Sequence, residues 1–119
     1  MARLLVNHTY YVNFGGKPID VAEFNALSQR AEIVCERYVF TRMNVVVKNR
    51  FAELVDSETN DYKDAICLQI EMLSMCNGIH AVAGAGDSNS DMMFEGVPFS
   101  SLARHKIEMF LQDNNLLLR

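Results

Sequence analysis

At 119 residues, half of them hydrophobic and 22% charged, the chain has the length and composition of one folded domain that needs no metal or disulfide staple. A formal net charge of −4 excludes a general DNA-coating role, which requires clustered Lys and Arg against the phosphates. The charge is uneven: residues 1–55 carry seven Lys/Arg against five Asp/Glu, and residues 56–119 carry four against ten, a dipolar protomer suited to head-to-tail stacking or simply to two differently solvated faces.

The pattern predicts a mainly α protein, a small bundle of three to four helices with an extended N-terminal arm and a long loop before the last helix. Residues 1–19 read as the arm. Tyr10-Tyr11-Val12-Asn13-Phe14 has extended propensity, and Gly15-Gly16-Lys17-Pro18 turns the chain. The arm's three aromatics must pack on the chain's own bundle or on a neighbour. The first helix is predicted over Val21–Val39, capped by Asp20 with Glu23 three residues on. Phe24, Leu27, Ala31, Val34, Cys35 and Tyr38 form its apolar stripe, with Gln29, Arg30, Glu32 and Glu36 on the other side. Residues 40–56 are mixed. Val45-Val46-Val47 favours extended structure and Phe51–Val55 a short helical turn.

A second long helix is predicted from Ser57 or Thr59 to Cys76 or Asn77, stopped by Gly78. Tyr62, Ala65, Ile66, Ile70, Leu73 and Cys76 make one apolar side, and Leu68, Met72 and Met75 widen it. Only Lys63, Glu71 and Ser74 form a polar strip. So wide an apolar surface predicts a helix that is either central in its domain or also faces a partner, and because a few short helices cannot easily surround one another, part of it is expected to face another subunit. Residues 77–98 form a long loop rich in Gly, Ala, Ser, Asn and Asp, with room for a short hairpin. Its apolar end (Met92, Met93, Phe94, Val97, Phe99) is expected to be covered by a partner. The last helix starts at an N-cap Ser100, presents Ala103, Ile107, Phe110 and Leu111, and ends in a left-handed cap at Asn114-Asn115. The tail Leu116-Leu117-Leu118-Arg119 implies a docking groove in this subunit or the next. The whole chain reads as one domain: arm 1–19, helical core 20–76, loop 77–98, last helix and tail 99–119.

No set of residues converges on catalysis. His8, His80 and His105 fall in the arm, the loop and a helix, without metal-ligand spacing. Cys35, Cys67 and Cys76 lack a C-x-x-C pair and read as buried thiols in a reducing compartment. Asp87-Ser88-Asn89-Ser90-Asp91 lacks the glycine and distal glutamate of a calcium loop, and neither Gly84-Ala85-Gly86 nor Gly15-Gly16 leads into a phosphate-binding motif. Glu71 is a lone carboxylate expected to pair with a basic residue on a facing helix. The expectation is a protein that is not an enzyme and takes no cofactor or metal. No apolar run approaches the roughly 18 residues of a membrane span and no signal peptide is evident, so synthesis and folding in a cytoplasm, with no membrane partner, are expected.

One family shows these features in this order. An aromatic start and Gly15-Gly16 precede Ile19, Phe24, Leu27 and Arg30-Ala31, matching an I-x-x-x-x-F-x-x-L-x-x-R-A pattern. The helix exit Tyr38-Val39-Phe40-Thr41-Arg42 follows, then Lys63, Ala65, Cys67 and Glu71 as K-x-A-x-C with a trailing Glu. The loop Asp87–Phe94 and the tail Asn115-Leu116-Leu117-Leu118-Arg119 complete it. Over nearly its whole length the chain resembles the head-tail connector (adaptor) proteins of long-tailed bacteriophages. It departs from them at Asn115 for the usual Gly, at Leu118 for Tyr, and in lacking the S-V-S-Y run of the loop. The resemblance implies a virion structural protein of the phage neck, assembled in the host bacterial cytoplasm as a ring of copies of itself, typically twelvefold. The ring would sit on the portal protein, present a platform to the stopper or tail-completion protein, and extend a channel through which DNA slides without specific binding. It implies candidate interface residues Asp87, Ser90, Met92, Met93 and Phe94 in the loop and Leu116, Leu117, Leu118 and Arg119 in the tail. The rival readings are a small helical dimeric regulator of DNA or protein, for which Arg30 and Arg37 are too closely balanced by Glu32 and Glu36, and a β-rich head-completion stopper.

Overall fold

The computed structural model describes residues 5–75, 92–94 and 97–117. Among these described residues five α-helices carry the fold: α1 (His8–Phe14), α2 (Val21–Arg42), α3 (Lys48–Leu54), α4 (Asp61–Met75) and α5 (Ser101–Asp113). A 3₁₀ turn spans Val45–Val47, and β1 (Met92–Phe94) pairs antiparallel with β2 (Val97–Phe99) in the register Met92↔Phe99, Met93↔Pro98 and Phe94↔Val97. The expectation of a mainly helical bundle holds, as does the short hairpin pairing before the last helix.

The arm is a correction, because its Tyr-rich stretch is helical. Asn7 accepts the Tyr10 N–H at 2.7 Å as N-cap, and Gly15 closes the C-terminus with φ +89°. Between these caps, burial of Tyr11 and the bond from the Tyr10 hydroxyl to Asp64 Oδ1 (2.8 Å) override extended propensity. Gly16 then passes so close to Tyr11 that an added Cβ would stand 2.9 Å from the ring's far end. The Tyr11 hydroxyl donates to the Lys17 carbonyl at 2.5 Å, locking the turn. The arm packs on its own bundle.

α2 begins where predicted, with Asp20 accepting the Glu23 N–H at 2.7 Å, and runs three residues beyond the expected end, to Arg42. Val45–Val47 is a 3₁₀ turn rather than a strand, and it leads directly into α3. α4 starts later than predicted because Asn60 is its cap, accepting the Lys63 N–H at 2.8 Å. Ser74 donates to Glu23 at 3.0 Å, so α4 runs antiparallel to α2. The ion pair of Lys106 with Asp61 (3.5 Å) and the bonds of Gln69 to residues 98 and 100 set α5 antiparallel to α4 as well.

The core lies between these three helices, and α4 is its axis. Tyr62, Ala65, Ile66, Cys67, Ile70, Met72 and Leu73 are all buried. Phe51, Tyr62 and Phe110 interlock edge-on and tilted, with ring centroids 5.2–6.1 Å apart. The expectation that part of α4 faces another subunit is therefore overturned for these residues. α2, α5, α1 and β2 surround them, and only Met75, at the helix end, is a large exposed apolar residue there. The narrow polar strip is covered too, because it is the seam that holds the N-terminal segment. Glu71 accepts the Lys17 backbone N–H (2.8 Å), Ser74 accepts from Lys17 Nζ (3.0 Å), and Lys63 lies over the Tyr10 ring. Glu71 thus meets a turn's backbone instead of a basic side chain on a facing helix.

Candidate interface surfaces

The loop end and the tail, the two regions singled out from the sequence, both close onto the last turns of α2 in the same molecule. Phe94 is half-buried, edge-on to Tyr38 (5.7 Å) and tilted against Phe99 (5.7 Å). Phe99 is fully buried, and its ring lies 5.1 Å from that of Tyr38. The apolar hairpin residues Phe94, Val97 and Phe99 are therefore packed on the chain's own body, contrary to the expectation that a partner covers them. Met92 and Met93 lie in β1, and their side chains are outside the described structure, as are Asp87 and Ser90.

At the tail, Asn115 takes the left-handed conformation expected of a helix stop (φ +59°), and Leu116 N–H returns to the Leu111 carbonyl at 2.8 Å. Leu116 is fully buried, its carbonyl accepts the Asn44 N–H (3.2 Å), and Leu117 bridges to Met43. Arg50 donates to the Asn114 carbonyl and completes the cap. The docking groove for the leucines is thus in this subunit as far as Leu117. Leu118 and Arg119 lie outside the described residues.

A polar cluster fastens α5 to α2. Tyr38 donates to Glu108 Oε2 at 2.5 Å, and Arg42 reaches the same carboxylate at 2.7 and 3.3 Å. Burial, reinforced by the carboxylate, pushes the Tyr38 phenol up to about 12. Burial alone would raise Glu108, but the bonds from Arg42 and Tyr38 outweigh it and hold the carboxyl below its ordinary value. This is a structural anchor, with its charges already compensated.

The thiols are insulated rather than activated. Burial pushes Cys35 far above its ordinary value, and burial with the nearby Asp64 charge pushes Cys67 up to about 12. His8 donates from Nε2 to the Ile19 carbonyl (3.0 Å) and stands edge-on to Phe24. His105 is exposed on α5, and His80 and Cys76 lie outside the described residues. Among the described residues no three His, Cys, Asp or Glu side chains gather to hold a metal ion, and no helix is long and apolar enough to cross a membrane.

Three features escaped the sequence reading. Gln69 is fully buried, donating from Nε2 to the Pro98 carbonyl (2.8 Å) and accepting the Ser100 N–H at Oε1 (2.9 Å). Its signal was an amide in the middle of the α4 apolar stripe, where a polar group must be paired. Glu32, expected on the solvent side of α2, is buried and accepts the Leu5 N–H at 2.7 Å, because the segment before α1 lies over it. The third is an open cleft of about 380 Å³ between α1 and the start of α4, lined by Tyr10, Asn13, Phe14, Glu58, Thr59 and Asp64. No local pattern announces it, since its walls are 44 or more residues apart in sequence.

No family model matches the chain, and no curated protein or solved structure is similar enough to be informative.

Proposed function

We propose that the chain is a virion structural protein, an adaptor that forms a ring on the portal of a phage head, extends the DNA channel and receives the stopper or tail. The observation that carries this reading is the position of the residues of resemblance. Many of them are residues on which the fold depends. Gly15 and Gly16 make the locked turn, and Phe24, Leu27, Ala31, Ala65 and Cys67 are core. Glu71 ties the turn to α4, and the leucine tail docks on the exit of α2. A resemblance spread over weak motifs gains force when those motifs answer one structural need.

The mainly helical architecture speaks against the β-rich stopper. A DNA-binding regulator needs a basic recognition helix. α5 carries Arg104 and Lys106 beside Glu108 and Asp113, with Lys106 and Glu108 engaged in ion pairs or hydrogen bonds, and the short α3 carries Lys48 and Arg50 beside Glu53, with Arg50 held to the Asn114 carbonyl.

The test is negative-stain imaging of the full chain mixed with its portal protein. Rings coaxial with the portal are the expected result. A compact dimer that ignores the portal and shifts a DNA band would overturn the reading.

A further inference from the structure

The large apolar residues left exposed include Phe40, with 52% of its surface in solvent. At 100° per residue, Ala26, Arg30, Ile33, Arg37 and Phe40 share one outward face of α2, about 80° wide. This face is opposite the buried set Phe24, Leu27, Ala31, Cys35 and Tyr38. It is the basic, aromatic exterior of the longest helix, and it points away from α4.

The cleft between α1 and the start of α4 has the complementary character. Tyr10 and Phe14 give it aromatic walls, and Glu58 and Asp64 give it carboxylates. Lys63, held over Tyr10 and bonded to the Glu58 carbonyl, offsets part of that charge but not all of it. We propose that the outward face of α2 docks on a second copy of this chain at this cleft, with Phe40 entering it and Arg37, one turn away, meeting Glu58 and Asp64. This deepens the adaptor reading and rests on it for closure into a ring.

The geometry favours a second copy over other occupants. Phe40 faces away from the cleft of its own chain, so the two surfaces cannot satisfy each other within one molecule. They differ from one another, so the contact is heterologous and propagates from copy to copy. They also lie at nearly one level. Ser74 meets Glu23 in the antiparallel pair, and counting back along α4 at about 1.5 Å per residue sets Asp61 opposite residue 36 of α2, about one turn from Phe40. For a ring whose axis runs along the helices, surfaces at one level add no step from copy to copy, which is what closure requires. A single aromatic knob covers little area, so each contact is weak and a closed ring gains from every copy being held twice.

The test uses the full chain in sedimentation velocity over a concentration series. The wild type is expected to associate as concentration rises. Phe40→Asp, and a cleft variant combining Asn13→Arg with Glu58→Arg, are each expected to weaken association by about tenfold or more. An equimolar mixture of the two variants is expected to form dimers and nothing larger, because each partner keeps one intact surface. All three positions are exposed, so melting curves should match the wild type. Should Phe40→Asp melt early, Arg37→Glu tests the same face. A wild type that stays monomeric throughout, a variant that associates like the wild type, or a mixture that stays monomeric overturns the inference. Phe40→Asp rings that still form on the portal would sink this contact and leave the adaptor reading standing. Rescue in the mixture by a protein that ignores the portal would do the reverse.

Discussion

Replacing Gln69 by Leu keeps the bulk of the side chain and removes both of its hydrogen bonds. The Pro98 carbonyl and the Ser100 N–H, both on buried residues, then lose their partner where α4 holds the β2–α5 junction. Each stranded group costs about 1–3 kcal/mol, and the added apolar side chain returns about 1 kcal/mol, leaving a net loss of about 3 kcal/mol. With an unfolding entropy of about 2.1 cal/mol/K per residue, a chain of this length loses about 4 °C per kcal/mol, so melting should fall by about 12 °C. Circular dichroism melts and urea midpoints measure it. A Leu variant melting within about 3 °C of the wild type would refute the claim that this amide holds the junction.

Gln69→Glu sharpens the same test through pH. A neutral carboxyl supplies one donor and one acceptor, as the amide does, whereas the ionised form loses the donor and buries a charge. Its folded pKa must therefore lie above the unfolded value of about 4.3. A group raised in the folded state contributes stability below its unfolded pKa and loses it as pH rises through the folded one. The gap between wild type and Gln69→Glu should be small near pH 4 and widen towards neutrality. A gap independent of pH would show that the site is open to water.

Gly16→Ala should cost about 1–3 kcal/mol in urea unfolding, because the new methyl meets a Tyr11 ring that its bond to Lys17 and its burial hold in place; a change below about 0.5 kcal/mol would refute that. Glu108→Gln should matter most at neutral pH. The carboxyl's folded pKa is depressed, so the stability it contributes is present above the unfolded value and is lost as pH falls through the folded one. The difference in urea midpoint should shrink below about pH 4, and a difference that grows there would contradict the Arg42 pairing. Leu116→Ala should cost about 2–4 kcal/mol in a dilute, monomeric sample, since the side chain is buried within its own subunit; an unaltered stability would mean that the groove is not a packed site.

The helices that carry their own punctuation were legible in the sequence. Asp20, Ser100 and Asn115 cap as expected, because a cap is local chemistry: one side chain, or one backbone conformation, within a few residues of the element it ends. α1 was not legible. Its seven residues have strand propensity, and it is held by Tyr10 bonding to Asp64, 54 residues away. The same distance hid the meaning of the polar strip on α4. Lys63, Glu71 and Ser74 read only as a narrow polar strip, with Glu71 expected to meet a basic side chain, yet they are the hydrogen-bonding half of a seam whose other half lies between Tyr10 and Lys17. Glu32 was misjudged for a related reason, since it stands at the border of the α2 stripe and the chain's own beginning covers it.

These corrections change where self-association has to come from. The apolar breadth of α4, the hairpin residues Phe94, Val97 and Phe99, and the first tail leucine are satisfied within one copy, so unburied core is no argument for a ring. What remains on the described surface includes the exterior of α2, where Phe40 is half exposed, besides the isolated Val12, Val46 and Leu102. The charge asymmetry must then be read at short range. At physiological ionic strength fields fade over about 8 Å, so a basic half and an acidic half of a protomer scarcely sense each other across a subunit. Charges count where they touch, and at the α2 face the nearest basic group to Phe40 is Arg37, one turn away. An interface of that kind is specified by fit around one aromatic side chain and given its orientation by a neighbouring ion pair. Moderate salt should therefore slow its formation more than it weakens the finished contact.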